Sequence, residues 1–212
     1  APFAGIIIGD KMTKGEAIVS TSPERFLKAL PSGEVETRPI KGTRPRDKDP
    51  AKDAEWVAEL ICSVKDRAEN IMIVDLLRND LGRVCKPGSI NVPNLLILES
   101  YAQVHHLTSV VKGKLNTDKT WVDLIEACWP GGSVTGAPKL RACKRLYEME
   151  PTARGPYCGS ILNINWDGVL DSNILIRSLM IKESSITAHA GCGIVADSDS
   201  KKEAEEMNWK LM

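Results

Sequence analysis

The chain has 212 residues, 42% hydrophobic and 26% charged, enough for one ordinary globular domain with a buried core. Its 28 Lys and Arg balance 28 Asp and Glu, which leaves no electrostatic footprint for nucleic acid or an anionic membrane. No stretch approaches the about 18 apolar residues of a membrane span, and nothing resembles a signal peptide. Cys62, Cys85, Cys128, Cys143, Cys158 and Cys192 are scattered without a Cys-x-x-Cys pair. That pattern argues against a zinc site or a disulfide scaffold and for reduced thiols in the cytoplasm.

The chain opens inside an apolar run, Phe3 to Ile8, without a starting Met, and stops two residues after Lys210 inside a helical pattern. Both ends read as cut, so a fragment of a longer protein is expected. Gly5 to Ser20 reads as two short strands around a turn at Gly9-Asp10-Lys11, with a further strand around Glu34 to Thr37. The Pro- and Arg-rich stretch from Arg38 to Pro50 reads as a loop. From Ala51 one long helix is predicted to about Leu77, with Val57, Leu60, Ile61, Val64, Ala68 and Ile71 on one stripe. Val104 to Val111 alternates as a strand, which sends His105 and His106 to opposite faces. Thr120 to Trp129 reads as a short helix, and the loop Pro130 to Lys139 leads into another helix through about Glu148. A hairpin is predicted around Asp167-Gly168, then a strand from Thr187 to Val195. A last helix starts at Ser200 with a capping box to Glu203. Strands and helices mix without strict alternation, which favours an α+β fold.

On the last helix Glu203, Glu206 and Lys210 share one face. They fit first a solvated Glu-Lys face, and second a carboxylate pair for a hard cation beside an ammonium for an anionic substrate. Glu69 sits at the edge of the long helix's apolar stripe, where a charge needs a partner. The loop Gly131 to Gly136 before a helix is a structural turn or an anion cradle, and it is not a Walker A loop. Arg177 falls in an apolar strand with Leu175 and Leu179, so a buried arginine with an anionic partner is expected. Gly191 and Gly193 flank Cys192 in a strand, as a bulge or a place where a ligand nears the backbone.

In order along the chain, these segments resemble the chorismate-binding enzymes, among them the anthranilate, aminodeoxychorismate, isochorismate and salicylate synthases. The matching blocks are Ser22 to Phe26, Pro39 to Arg46, Asp66 to Asn70 and Val74 to Asp80. They continue with Val104 to Leu107, Pro130 to Lys139, Tyr157 to Ser160, Ile176-Arg177 and Ala190 to Ser198. The resemblance implies a single catalytic domain over residues 1–212, the C-terminal part of a longer architecture. Its expected fold is antiparallel β-sheets in a sandwich flanked by helices, with the N-terminal part missing.

The resemblance also implies roles. Glu69 and Glu206, with Glu203 close by, would hold Mg²⁺ against the substrate's ring carboxylate. Arg177, Lys210, Tyr157 and the Gly191 and Gly193 backbone would hold the enolpyruvyl carboxylate, and Thr135 would complete the pocket. Glu24 would be the general acid for the departing C4 hydroxyl, and His106 would sit beside the ring. Within the family, Pro39-Ile40-Lys41-Gly42-Thr43 is similar to the aminodeoxychorismate synthases, whereas anthranilate synthases carry Ala at the Lys41 position. Lys41 would then attack C2 of chorismate and direct ammonia to C4. The implied partners are chorismate and a glutamine amidotransferase, separate or fused, that supplies the ammonia. An anthranilate synthase and a non-catalytic chorismate-binding remnant are the alternatives. Two departures stand out: Ala204 replaces the family's usual aromatic residue, and Tyr157 stands where some aminodeoxychorismate synthases have Trp.

Overall fold

The computed structural model describes residues 2–10, 15–196 and 198–211. Its strands are β1 (Phe3–Ile8), β2 (Ala17–Ser22), β3 (Arg25–Ala29), β4 (Glu34–Thr37), β5 (Ile40–Pro45), β6 (Asn91–Ser100), β7 (Val104–Lys114), β8 (Leu162–Ile164), β9 (Leu170–Asn173), β10 (Ser178–Lys182) and β11 (Ser185–Ala188). Its helices are α1 (Pro50–Cys62), α2 (Val64–Gly82), α3 (Trp121–Cys128), α4 (Lys139–Met149) and α5 (Ser200–Leu211). Two compact units emerge, one of Phe26–Met149 with Asn163–Asp171, the other of Ala1–Arg25, Glu150–Leu162 and Ser172–Met212.

The first unit is built on β7, which pairs antiparallel with β4, β5 and β6. The sheet runs β5-β7-β4-β3-β9-β8, with β6 added on β7. Helix α2 packs on β7, and Ile73, Val74, Leu77 and Leu81 bury its inner face. Leu27, Leu60, Leu107 and Leu124 are fully buried, each contributing about 1.5–3 kcal/mol over exposure. One polar pair crosses this core without cost in orphaned atoms. Asn70 Nδ2 donates to the Leu107 carbonyl at 3.1 Å and Asn70 Oδ1 accepts from Ser109 Oγ at 2.6 Å.

The second unit carries a four-stranded antiparallel sheet in the order β1-β2-β10-β11. α5 belongs to the same unit. Antiparallel sheets with helices make the chain α+β, as its mixed pattern predicts.

Several local expectations change. The Arg38 to Pro50 segment is not all loop, since β5 occupies Ile40–Pro45. The long helix is two, broken at Ser63, which leaves the helical region at ψ 107 and caps α2 by accepting from Asp66 N at 3.2 Å. The break resets the helical phase, so Val64 and Ile71 of the predicted stripe are 80% and 47% exposed. The predicted Thr187 to Val195 strand stops at Ala188, and Gly191 and Gly193 lie in irregular backbone. Of the hairpin about Asp167-Gly168, β8 and β9 form the short core, while β10 joins the other sheet. The cap of α5 is Asp199, whose Oδ1 accepts from Lys201 N and Lys202 N at 3.1 and 3.0 Å. Glu203 reaches no capping box there, because its Oε1 accepts from Ser198 Oγ at 2.6 Å. Lys11 of the first predicted turn and Asp197 of the matching blocks lie outside the described residues.

Candidate active site

In the first unit the site is organised by one glycine. Gly42 has φ +84, and a Cβ there would lie 2.8 Å from Leu60 Cδ1 and 3.0 Å from Asp66 Cβ. Only glycine permits both the left-handed turn and this approach to α1 and α2. The turn coincides with a register shift between Ile40 and Thr43 in the β5–β7 ladder, a bulge that re-aims side chains. Lys41 is thereby turned to the helix side, where its Nζ meets Glu69 Oε1 at 2.8 Å and donates to the Ser133 carbonyl at 3.1 Å. Both side chains are largely covered, at 15% and 13% exposure.

Beside it, Thr43 Oγ1 and His106 Nδ1 are 2.9 Å apart, and the Tyr101 ring lies 5.7 Å from the His106 ring. His105 turns the other way, as alternation requires. Its Nδ1 contacts Ser100 Oγ at 2.8 Å and its Nε2 contacts Asp53 Oδ1 at 3.0 Å, which ties β6 and β7 to α1. Thr135 ends a 3-10 turn (Gly132–Val134), and its Oγ1 donates to the Gly131 carbonyl at 3.0 Å. The Gly131 to Gly136 segment is therefore a folded turn whose hydroxyl is used internally.

In the second unit Glu24 is buried between β2 and β3, its backbone N donating to Ser22 Oγ at 3.2 Å and its carbonyl accepting from Ile174 N at 3.1 Å. Arg177 departs from expectation. It is exposed, lies between β9 and β10, and has φ +53, so the buried strand arginine is corrected. Its carbonyl accepts from Thr21 N and Oγ1, both at 3.0 Å, and its guanidinium donates to the Lys210 carbonyl at 2.8 Å. A left-handed non-glycine residue is a strained one, held here by those bonds.

Lys210 pairs with Glu206 and donates to the Gly191 carbonyl at 3.0 Å, with Cys192 Sγ at 3.8 Å. Gly191 lies close under Tyr157, where a Cβ would sit a tight 3.1 Å from the Tyr157 Oη. Tyr157 stacks on His189 at 5.4 Å, and burial pushes its phenol up from the ordinary value. Gly193 lies exposed two residues beyond Gly191. Thus Arg177, Gly191 and Glu206 are connected through Lys210, and Tyr157 lies over Gly191.

Cys192, Glu203 and Glu206 can each bring one ligand atom within 4.8 Å of the others. Carboxylate oxygens are the donors that Mg²⁺ takes. The Cys192 thiol is pushed up by burial, which keeps it a poor ligand for a hard cation. The donor chemistry of Glu203 and Glu206 therefore fits Mg²⁺. A cleft of about 490 Å³ over the four-stranded sheet has Ile18, Arg154, Met180 and His189 in its wall, and none of the predicted site residues.

Two contributors lie within the matching blocks but had no site role assigned from the sequence. The Ser133 carbonyl is backbone and invisible to residue-type reasoning, and the Lys139–Asp80 pair at 2.6 Å joins residues 59 apart.

Comparison with known proteins shows the family. The chain is 48% identical over 206 residues to aminodeoxychorismate synthase component 1 of Klebsiella aerogenes, covering 97% of this chain and 45% of that protein. With the enzyme of the same name from Escherichia coli K12 it shares 46% over 206 residues, 97% of this chain and 44% of that protein. The chain thus spans less than half the length of these relatives. The solved anthranilate synthase component I of Streptococcus pneumoniae superposes with a TM-score of 0.84 at 36% identity, over 99% of this chain and 45% of that one. The profile of the chorismate binding enzymes matches residues 9–212, and the chain belongs to that family.

Proposed function

We propose that this chain is the chorismate-binding catalytic part of an aminodeoxychorismate synthase component I, making 4-amino-4-deoxychorismate from chorismate and ammonia. The observation that carries the reading is Lys41. Its amine is part-buried at the Gly42 bulge, between the Glu69 carboxylate and the Ser133 carbonyl, 2.8 and 3.1 Å away. An amine so oriented is a nucleophile held in one direction, which is the entropic part of its activation.

In the proposed reaction Lys41 first passes its ammonium proton to Glu69, and the freed amine bonds to C2 while the ring double bonds shift and the C4–O bond breaks. Glu24 gives its proton to the departing hydroxyl, which leaves as water. Ammonia then bonds to C4, the double bonds shift back, and the C2–N bond to Lys41 breaks. Occupation of C2 by Lys41 is what keeps ammonia from adding there. His106, held by Thr43, lies beside Lys41's strand as a proton-handling group. Arg177 and Lys210 supply positive charge for a substrate carboxylate, and Tyr157 and the Gly191 backbone shape its seat. Glu203 and Glu206 would hold Mg²⁺, which when bound neutralises substrate carboxylate charge. The ammonia source is a glutamine amidotransferase partner, and the product feeds p-aminobenzoate and folate synthesis in the cytoplasm. Among the described residues no helix is long and apolar enough to cross a membrane.

The test is a product assay with chorismate, Mg²⁺ and ammonium, read by mass spectrometry. Wild type is expected to make 4-amino-4-deoxychorismate and Lys41→Ala to lose it. An unchanged product in Lys41→Ala removes the covalent role. Anthranilate as the wild-type product, visible by its fluorescence, would replace this reading with the anthranilate branch.

A further inference from the structure

Helix α2 carries Glu69, Leu76 and Asp80, at i, i+7 and i+11, on one face. Each of the three meets the machinery around Lys41. Glu69 faces the Lys41 amine at 2.8 Å. Leu76 lies against Gly132 so closely that a Cβ on that glycine would come within 2.5 Å of Leu76 Cδ2. Asp80 receives the Lys139 ammonium at 2.6 Å.

That last pair is buried, with side-chain exposures of 3% for Asp80 and 12% for Lys139. Arg83 approaches the other Asp80 oxygen at 3.2 Å. Lys139 spends a second hydrogen bond on the Cys128 carbonyl, at 2.8 Å. Cys128 ends α3 and Lys139 begins α4, so one ammonium ties together both ends of the intervening loop and fastens them to α2. Within that loop lies Ser133, whose carbonyl accepts from Lys41. The same helix therefore fixes both acceptors of the Lys41 amine, Glu69 directly and Ser133 through the tied loop.

We propose that Asp80 and Lys139 are positioning residues: their buried ion pair clamps the Trp129 to Pro138 loop on α2 and so sets the Ser133 carbonyl that aims the Lys41 amine. A burial this deep is a poor source of net stability, because desolvation offsets most of the attraction. What it supplies is one fixed loop position. The clamp bears on catalysis only through the proposed role of Lys41, while its geometry is independent of that role.

The experiment measures acetylation of each lysine by an N-hydroxysuccinimide ester, quantified by peptide mass spectrometry in the intact folded protein. Lys112, which pairs with Glu36 in the same unit at 3.3 Å, is the internal reference. The double variant Asp80→Asn/Lys139→Met removes both charges of the pair together; Lys139→Arg keeps the pair with a differently shaped head. Relative to Lys112, Lys41 labelling is expected to rise roughly fivefold in the double variant, about one hydrogen bond's worth. Lys139→Arg is expected to fall between it and wild type. Lys41 labelling equal to wild type in both variants, or in Lys139→Arg alone should the double variant not fold, overturns the clamp. Product analysis of Lys41→Ala addresses the nucleophile separately, so either idea can fail while the other stands. If both hold, the folded clamp variants lose kcat with KM little changed, a split that general destabilisation does not produce.

Discussion

At the scale of single residues, Gly42 shows how a motif's least reactive member can do the most to build a site. Gly42→Ala combines a left-handed backbone with a methyl 2.8 Å from Leu60 Cδ1. It is expected to destabilise the protein by about 2–4 kcal/mol, read as a lower urea midpoint at unchanged slope. Asp53 offers a second test, through pH. The Arg46 guanidinium, then the Asp47 N–H, then His105 hold its carboxyl well below the ordinary 3.8. A depressed folded pKa means the contribution is fully present above the ordinary carboxylate range and is lost as pH falls towards the folded value. Wild type should therefore exceed Asp53→Asn in stability by a constant margin from about pH 7 to about pH 5 and lose that margin below about pH 4. A margin that persisted to low pH in urea melts would mean the ionised carboxylate is not the source. Lys41, Gly42 and Thr43 were all visible in the sequence as letters of one block. The direction Lys41 points was not, because it depends on a bulge defined by the partner strand β7.

At the scale of elements, helices were the legible part, and phase was the illegible part. Periodicity finds α3, α4 and α5, yet it runs α1 and α2 together, since Ser63 interrupts the dihedrals without interrupting the apolar spacing. Glu69 was placed at the edge of a buried face, and it does adjoin one, but the face is that of Ile73 and Leu77 after the phase reset. Strand β6 gave no period-two signal because its pairing with β7 shifts register twice and Leu96 sits at φ +55. Strand β5 was masked by prolines at 39 and 45, which suit a strand whose ladder is already interrupted. The same one-residue ambiguity moved the α5 cap from Asp199 to Ser200. The two assignments separate cleanly by mutation. Asp199→Ala should cost about 1 kcal/mol by thermal or urea melting, and Ser200→Ala only a few tenths. Because α5 carries Glu203 and Glu206, a frayed first turn should also weaken the proposed Mg²⁺ binding by calorimetry. Glu206→Gln should weaken that proposed binding more, with little change in the melt, since the carboxylate is half exposed and its pair with Lys210 lies at the surface.

At the scale of the whole chain, apolar burial is unequal between the two units, and this has a dynamic consequence. In the first unit β7 is buried along nearly its whole length, and Leu107 and Val111 are fully enclosed. In the second unit every residue of β11 is exposed, and β1 leaves Ile6, Ile7 and Ile8 at 67%, 47% and 75% exposure. Hydrogen bonds in a strand exposed on both faces open without disturbing a core, so they break by local fluctuation. Amides of β7 such as Ser109 and Val110 can be freed only by unfolding that strips α2 from the sheet. Native-state hydrogen exchange should therefore divide the chain. β11 and the outer strand β1 should exchange first, with little dependence on low urea. β7 should exchange last, with a free energy equal to that of global unfolding of its unit and a full dependence on denaturant. Lys41, Glu69 and His106 lie on elements of the protected unit, so their mutual geometry should persist under conditions in which the edge strands already exchange. If β7 and β11 instead exchanged at one common free energy, the two units would unfold as a single cooperative body, and burial within each would not predict its local stability.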